Sequence, residues 1–204
     1  MPDTPKGSYY FNDDQLTPDT ISGETPVKLK YHVGGQWLES KTEKHMPCYN
    51  PSTGAVIAYA PQCTSEEMET AIQAARTAFP AWADTPVNKR VQVLYNMKHL
   101  VDKNLDELTY LLAKEQGKKW EEAMGDVLKV NEVVEFACGI PQLLKGEFSA
   151  NVAAGIDLYS MRQPLGVVAG ITPFNFPAMV PMWMFPIALS CGNTFILKPS
   201  EKDP

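Results

Sequence analysis

Three polar side chains near the end of the 204-residue chain have types and spacing that could support chemistry. Asn175 follows the segment 172–174, and its amide could donate a hydrogen bond to an oxyanion that develops on a carbonyl group. Lys198 precedes Glu201 by three residues, and an ammonium group beside a carboxylate can bind the two hydroxyls of a ribose. Structural explanations also exist, because Asn is a common turn residue and Lys-Pro-Ser-Glu resembles a helix cap.

These residues lie within or beside a stretch that contains no charged side chain, between Arg162 and Lys198. Such a stretch is either a membrane span or the buried part of a globular domain. A spanning helix needs about 20 consecutive, mostly apolar residues. Here prolines interrupt the stretch, and two asparagines place amides in it: Pro173, Pro177, Pro181, Pro186, Asn175 and Asn193. We therefore predict no membrane segment, but a buried strand, a helix and a second buried strand.

The predicted strands and helix should bring the polar residues together at one edge of a sheet. Residues 165–171 are apolar and rich in Val, which predicts a strand buried on both faces. A helix should begin near Pro177, kink at Pro186 and end at 192–193, and residues 194–197 should return as a second strand. The carboxyl ends of parallel strands meet at one edge, where open α/β sheets bind ligands. The glycine-rich GxGxxG fingerprint is absent, so the pattern alone leaves a dinucleotide site and an ordinary turn both open.

The preceding part of the chain predicts an antiparallel β edge followed by a cluster of helices. Alternating residues predict a strand over 27–33, a reversal at 34–35 and a second strand over 36–38, and another extended segment should span 55–60. A first helix should begin at Thr64, with a capping box to Glu67, and end at Pro80. A second helix should begin after Thr85 and a third at Asn104. A fourth helix should carry an apolar stripe formed by Val127, Val130, Val134 and Cys138. An exposed strand should follow over residues 157–162.

Composition indicates a soluble globular protein, with 44% hydrophobic and 21% charged residues. The net charge of −6 and the absence of a basic stripe argue against nucleic acid as a partner. The four cysteines show neither CxxC nor metal-ligand spacing, so we expect reduced thiols and no metal site: Cys48, Cys63, Cys138 and Cys191. Residues 1–26 are acidic and proline-rich and predict a tail. The N-terminus resembles neither a secretion signal nor a transit peptide, which predicts the cytoplasm, with the mitochondrial matrix as the alternative.

The charge-free stretch resembles the aldehyde dehydrogenase superfamily. The motifs that carry the resemblance are PFNFP, a helix that contains Trp, and GNTFILKPSE. The longer form PFNFPAMVPMWMFPIALSCGNTFILKPSEKDP is similar to the CoA-acylating branch that acts on methylmalonate semialdehyde. The resemblance extends upstream through YHVGGQWLESKT, YNPSTGAVIAYAPQCT, AFPAWADTPV, LAKEQGK and DLYSMRQPLGVVAGI, so it covers nearly everything after the tail.

The resemblance implies roles for individual residues. The amide of Asn175 would help to form the oxyanion hole for a thiohemiacetal. Lys198 and Glu201 would hold the adenosine ribose of NAD, and Thr172 and Phe174 would line the cofactor channel. The full set of implied cofactor-binding residues is Thr172, Pro173, Phe174, Lys198, Ser200, Glu201 and Lys202. The implied chemistry is attack of a cysteine thiolate on a semialdehyde, hydride transfer to NAD and release of the acyl group to CoA. For methylmalonate semialdehyde, the implied product is propionyl-CoA with loss of carbon dioxide.

The resemblance also implies a fold and an assembly. Residues 27–204 would be the N-terminal part of a Rossmann-like NAD-binding domain, in which the β edge and helical cluster lead into the first βαβ unit. Residues 157–163 would be an oligomerisation strand of a homodimer or homotetramer. The nucleophilic cysteine and the catalytic domain would lie beyond Pro204, so we expect the chain alone to be inactive. Two alternatives are a segment of a non-acylating aldehyde dehydrogenase and a truncated, non-catalytic interaction module.

Overall fold

A computed structural model describes residues 25–204 of the chain. Residues 1–24, which make up most of the predicted tail, lie outside the described residues. The N-terminal strands are β1 (Val27–Lys28), β2 (Tyr31–Val33), β3 (Gln36–Leu38), β4 (His45–Tyr49) and β5 (Val56–Pro61). The helical cluster consists of α1 (Ser65–Asp84), α2 (Val87–Lys103), α3 (Leu105–Gln116), α4 (Trp120–Cys138) and the single turn α5 (Ile140–Leu143). The remaining elements are β6 (Phe148–Ala153), β7 (Ile156–Tyr159), β8 (Val167–Ile171), α6 (Met179–Met182), α7 (Phe185–Ser190) and β9 (Thr194–Lys198).

The N-terminal strands differ in part from the predicted antiparallel edge. The predicted reversal is present, because β2 and β3 form an antiparallel hairpin through Gly34 and Gly35, whose φ angles are 59° and 80°. However, the strand predicted over 27–33 is interrupted, and β1 pairs in parallel with β5. Strand β4, which pairs antiparallel with β5, was not predicted, because Pro47 lies within it and proline normally argues against a strand.

The helical cluster surrounds α4, whose apolar stripe is buried as predicted. Val127, Val130 and Val134 are at most 2% exposed, and Leu94 of α2 and Leu112 of α3 pack with them. Burial of such side chains contributes about 1.5–3 kcal/mol each relative to leaving them in water. The cluster is therefore the hydrophobic core against which the βαβ unit rests, since Ala178, Met182 and Ile187 pack on it.

Two helix ends differ from the prediction. The capping box of Thr64 and Glu67 forms, but α1 continues beyond Pro80 to Asp84. The extension is held by tertiary contacts, because the indole of Trp82 donates a hydrogen bond to the carbonyl of Leu189 at 3.0 Å. Asn104 does not cap the start of α3 with its side chain, since its amide instead donates to the carbonyl of Leu100 at 2.7 Å. It therefore satisfies the end of α2 rather than the beginning of α3.

An exposed hairpin separates the helical cluster from the βαβ unit. Its strands β6 and β7 pair antiparallel, with Phe148 opposite Tyr159. The strand predicted over 157–162 is shorter than expected, and its partner β6 was not predicted from the sequence. Both strands are exposed along their whole length, as expected for β7.

The predicted βαβ unit is present. Strands β8 and β9 are parallel, and Ile171 pairs with Lys198, so both strands end at the same edge. The predicted single helix is divided into α6 and α7, because Pro186 occupies the first turn of α7 rather than a helix interior. The prediction that the first strand is buried on both faces is wrong for this chain, because Ile171 is 78% exposed. Within residues 25–204 the sheet consists of β8 and β9 alone, so each strand has one edge without a neighbouring strand.

A buried arginine joins the βαβ unit to the helical cluster. The guanidinium of Arg90 in α2 donates to the carbonyl of Ser190 at the end of α7 (3.0 Å) and to the carbonyl of Ala83 at the end of α1 (3.1 Å). These contacts satisfy carbonyl groups that have no partner inside their own helices. None of the described helices combines the length and the apolar character needed to cross a bilayer.

Candidate active site

The site begins where β8 and β9 end. The backbone N–H of Thr172 donates to the carbonyl of Lys198 at 3.1 Å, which extends the pairing one residue beyond β8. Thr172 is buried, whereas Pro173, Phe174 and Asn175 follow it on the surface. The turns after the two strands therefore lie side by side.

The turn after β9 carries an ion pair. The ammonium of Lys198 lies 3.0 Å from the carboxylate of Glu201, and both side chains are about half exposed (47% and 53%). The pKa of Glu201 is lowered, first by a hydrogen bond from its own backbone N–H and then by the hydrogen bond from Lys198. Glu201 is thus a carboxylate at neutral pH and can accept hydrogen bonds from two hydroxyl groups.

The turns after β8 and β9 also contact each other through Phe174. The ammonium of Lys202 lies 4.1 Å from the centre of the Phe174 ring, within the range of a cation–π interaction. Ser200 is buried, and its hydroxyl accepts a hydrogen bond from the backbone N–H of Lys202 at 3.1 Å. The predicted residues Phe174, Ser200 and Lys202 therefore belong to one contiguous region.

Asn175 is held through its backbone. Its carbonyl accepts a hydrogen bond from the ammonium of Lys118 at 3.0 Å, and the preceding carbonyl, that of Phe174, accepts one from the amide of Gln116 at 2.8 Å. The Lys118 ammonium also lies 4.0 Å from the centre of the Phe176 ring. Among residues 25–204, the side-chain amide of Asn175 makes no hydrogen bond. It is exposed and can therefore donate to a ligand.

The residues that hold this loop were not found from the sequence. Gln116 ends α3 and Lys118 follows the left-handed Gly117, whose φ is 79°. Asp126 of α4 accepts from the Lys118 ammonium and from the backbone N–H of Met179, both at 3.0 Å. The available signal was a Lys just after a helix-ending Gly together with an Asp on the apolar side of the next helix. An Asp in that position needs a partner, because a buried carboxylate must be paired.

A second group of ionisable side chains lies under the turn after β9. Asp203 is buried, and this burial is the main cause that raises its pKa to about 6. Burial also raises the pKa of Glu115 in α3 to about 8, with a smaller contribution from the charge of Asp203. The thiol of Cys48 lies 4.0 Å from the carbonyl of Glu201. The turn that carries Lys198 and Glu201 is thus packed onto both β4 and α3.

The described cysteines do not resemble activated nucleophiles. All four are free, as predicted. The pKa of the Cys48 thiol is raised to about 11, and the pKa values of Cys63, Cys138 and Cys191 are also raised. Desolvation by burial is the largest cause of the increase at each of the four thiols. A catalytic cysteine needs a lowered pKa to form a thiolate at neutral pH. Within residues 25–204, no group of three or more His, Cys, Asp or Glu side chains could hold a metal ion.

Comparison with known proteins decides the family. The sequence profile of the aldehyde dehydrogenase family matches residues 37–204. The chain belongs to the aldehyde dehydrogenase family. This confirms the resemblance seen in the motifs, and the mixed α/β aldehyde dehydrogenase fold is the one predicted from the sequence.

Relatives within the aldehyde dehydrogenase family bear two related names. A human protein named methylmalonate-semialdehyde/malonate-semialdehyde dehydrogenase [acylating], mitochondrial, is 50% identical over 185 residues, which cover 91% of this chain and 34% of the relative. Malonate-semialdehyde dehydrogenase 1 of Geobacillus kaustophilus is 50% identical over 181 residues, which cover 89% of this chain and 37% of the relative. The chain thus spans about a third of the length of the curated relatives it matches.

A solved aldehyde dehydrogenase structure supports the same relationship. A candidate methylmalonate-semialdehyde dehydrogenase of Sinorhizobium meliloti, crystallised with NAD, superposes with a TM-score of 0.86 at 42% identity. The match covers 88% of this chain and 37% of that structure.

The residues at the sheet edge fit the nicotinamide cofactor that is found in such aldehyde dehydrogenase structures. A ribose presents two neighbouring hydroxyl groups, and the paired Glu201 carboxylate and Lys198 ammonium offer the matching acceptor and donor. Both groups are accessible, whereas Ser200 is buried and holds the turn. The chemistry of this donor set therefore suits the adenosine half of a dinucleotide.

Proposed function

We propose that the chain is the N-terminal part of an NAD-dependent, CoA-acylating methylmalonate/malonate-semialdehyde dehydrogenase. Relatives with these names share about half of its residues, and the human one is described as acylating. The observation that carries the proposal is the meeting of the Lys198–Glu201 ion pair and the Phe174–Asn175 turn at one sheet edge. The proposed substrate is a small semialdehyde, and CoA is the proposed acyl acceptor.

In this proposal the turn after β9 binds the cofactor. Lys198 and Glu201 hold the adenosine ribose, Ser200 and Lys202 support that turn, and Thr172, Pro173 and Phe174 border the channel. Because Glu201 is ionised, it favours two free hydroxyls and repels a 2′-phosphate, which selects NAD over NADP. The chemistry that NAD supplies when bound is acceptance of the hydride.

Asn175 is the proposed catalytic residue within the described chain. A thiolate that adds to the aldehyde carbon converts the carbonyl oxygen into an oxyanion, and the exposed amide of Asn175 can donate a hydrogen bond to it. Hydride loss then leaves a thioester, and the CoA thiol displaces the enzyme thiolate. With methylmalonate semialdehyde, the product would be propionyl-CoA after loss of carbon dioxide. The four cysteines described above are poor candidates for the thiolate, so we propose that the 204-residue chain is inactive alone.

We further propose that the complete protein is a homodimer or homotetramer that uses the β6–β7 hairpin. Large apolar side chains on this hairpin are exposed, among them Phe148, Leu158 and Tyr159. Exposed apolar strands with open edges favour association. The same hairpin supports the second candidate function, in which the chain is a non-catalytic module that binds a full-length dehydrogenase.

For the compartment, we propose the cytoplasm, with the mitochondrial matrix as the alternative. The human relative is named mitochondrial, whereas the Geobacillus relative is a bacterial protein. Fractionation of cells that express the tagged full-length protein distinguishes the two compartments.

The proposed function is tested by product analysis with a full-length protein that contains this sequence. Malonate or methylmalonate semialdehyde is supplied with NAD, with and without CoA, and both NADH and acyl-CoA are measured. Formation of acyl-CoA that requires CoA supports the proposal. A free acid formed without CoA indicates the non-acylating alternative. No turnover, together with co-purification of an intact dehydrogenase, indicates the interaction module.

A further inference from the structure

The backbone on both sides of the Asn175 Cα atom is anchored to the turn between α3 and α4. The peptide group before this atom is held by the Gln116 amide, which donates to the Phe174 carbonyl, and the peptide group after it by the Lys118 ammonium. The orientation of two successive peptide groups defines the φ and ψ angles of the residue between them. The direction in which the Asn175 side chain leaves the backbone is therefore set by these two contacts.

Lys118 is itself fixed from several sides. Its side chain is 17% exposed, and its ammonium lies 3.0 Å from the carboxylate of Asp126, whose side chain is fully buried. The other oxygen of Asp126 accepts from the N–H of Met179, which follows the Asn175 loop. The ring of Phe176 lies below the same ammonium. Lys118 thus occupies one defined position, and Asp126 links it to both ends of the segment 175–179.

We infer that Lys118, held in place by Asp126, is a positioning residue that orients Asn175 for donation to the oxyanion. The inference rests on the proposed function of Asn175. Among the described residues, no hydrogen bond holds the Asn175 side-chain amide, whereas its backbone is held by Lys118. Because displacement of a reacting group by about 1 Å can cost roughly 10²-fold in rate, loss of this anchoring should reduce turnover.

A double-mutant cycle in the full-length protein tests the inference. N175A should lower turnover by roughly 10²–10³-fold, the usual effect of removing one oxyanion donor. K118M should lower turnover by roughly 10–10²-fold, with little change in the KM for NAD. If Lys118 acts through Asn175, the double variant should be no slower than N175A alone. The control K30M removes an exposed lysine paired with Glu39 and should keep normal turnover.

A second measurement does not depend on activity. Hydrogen–deuterium exchange over residues 172–180 should be faster in K118M than in the unchanged protein and unchanged in K30M. K118R should restore slow exchange and most of the turnover, because a guanidinium can also donate to a carboxylate and a carbonyl. If K118M does not fold, the variant K118M/D126N provides the test, because it removes the Lys118 ammonium without leaving a charged carboxylate unpaired in the interior.

The outcomes separate this inference from the proposed function. Normal turnover of N175A would overturn both. A large loss in N175A combined with a multiplicative loss in N175A/K118M would overturn the role of Lys118 alone. Unchanged exchange over 172–180 in K118M or, if K118M does not fold, in K118M/D126N would do the same. Non-additive losses with faster exchange support it.

Discussion

At the scale of single residues, the candidate site depends on charges that are held at defined distances. Glu201 is exposed and ionised beside Lys198, whereas Asp203, only two residues later, is buried and has a raised pKa. The difference follows from burial, because desolvation penalises the charged form of a carboxyl group. Two carboxyl groups in one turn are thus suited to different tasks, one to binding and one to packing.

Replacement of Glu201 by Gln should weaken NAD binding and reduce discrimination against NADP. The substitution keeps the shape of the side chain but removes the charge that repels a 2′-phosphate. We expect the Kd for NAD of the full-length protein to rise roughly tenfold, which corresponds to about 1.4 kcal/mol. Fluorescence titration with both cofactors measures this. The control E39Q alters an exposed carboxylate that is paired with Lys30, and it should change neither the Kd for NAD nor the Kd for NADP. An unchanged ratio of NADP to NAD affinity in E201Q would remove Glu201 from cofactor selection.

Asp203 and Glu115 should make the folded chain less stable at alkaline pH. Folding raises the pKa of Asp203 from 3.8 to about 6 and that of Glu115 from 4.5 to about 8. The folded state therefore binds protons more tightly than the unfolded state. The resulting stability is fully present below about pH 4 and is lost as the pH rises through about 6 and about 8. The charges of Lys118 and Lys202 offset part of this effect at Asp203, and that of Lys114 offsets part of it at Glu115.

Thermal unfolding at about pH 5 and about pH 9 measures this pH dependence. The Tm of the unchanged chain should fall by several degrees more than that of the double variant D203N/E115Q, in which neither position titrates. Equal decreases in the two proteins would contradict the prediction.

At the scale of secondary-structure elements, the α3–α4 turn is the main support of the site. It contacts the loop after β8 through Gln116 and Lys118, and Asp126 of α4 receives both Lys118 and Met179. The Lys118–Asp126 pair is buried, unlike the exposed Lys30–Glu39 pair. The buried pair should matter more for stability, because removal of one partner leaves the other charge unpaired in the protein interior.

Replacement of Asp126 by Ala should therefore destabilise the chain by roughly 3 kcal/mol, as expected for breaking a buried ion pair. The substitution also leaves the N–H of Met179 without its acceptor. The matched control E39A should cost less than about 1 kcal/mol, because the Lys30–Glu39 pair is in contact with water. Urea unfolding followed by circular dichroism measures both. Equal costs for the two variants would show that the buried pair has no special weight.

Elements with a regular apolar pattern could be predicted from the sequence, whereas contacts between distant segments could not. The stripe of α4 and the capping box of α1 are local features, and both were predicted correctly. Strand β4 was missed because Pro47 obscures its pattern, and β6 because its exposed residues do not alternate clearly. The edge formed by β8 and β9 followed from the order of the strands. Gln116 and Lys118 were missed because they are separated by 57 or more residues from their partners in the loop.

At the scale of the whole molecule, two surfaces expose large apolar side chains to solvent. Ile171 at the end of β8 and Leu165, which precedes β8, are 78% and 90% exposed, and the β6–β7 hairpin presents apolar side chains along its length. Contiguous apolar surfaces of this kind mark contacts with other parts of a protein or with other subunits.

Introduction of a charge into the hairpin should reduce association of the full-length protein. L158E places a carboxylate on β7, where the side chain is 57% exposed, so it should not disturb folding of one subunit. We expect light scattering to report a smaller assembly for L158E. V93E changes a comparably exposed apolar residue of α2 and serves as the control. If both variants keep the same mass as the unchanged protein, the hairpin is not the site of association.

The contact between Lys118 and the Asn175 carbonyl has a consequence for the order of folding during synthesis. A ribosome makes the α3–α4 turn before the loop that it holds, since the two are 57 residues apart in the chain. The helical cluster relies on contacts that are closer in sequence, and local contacts form faster than distant ones. Asp126 and Lys118 can therefore be in place as a template when residues 174–179 emerge. The loop that carries Asn175 then folds onto an existing surface.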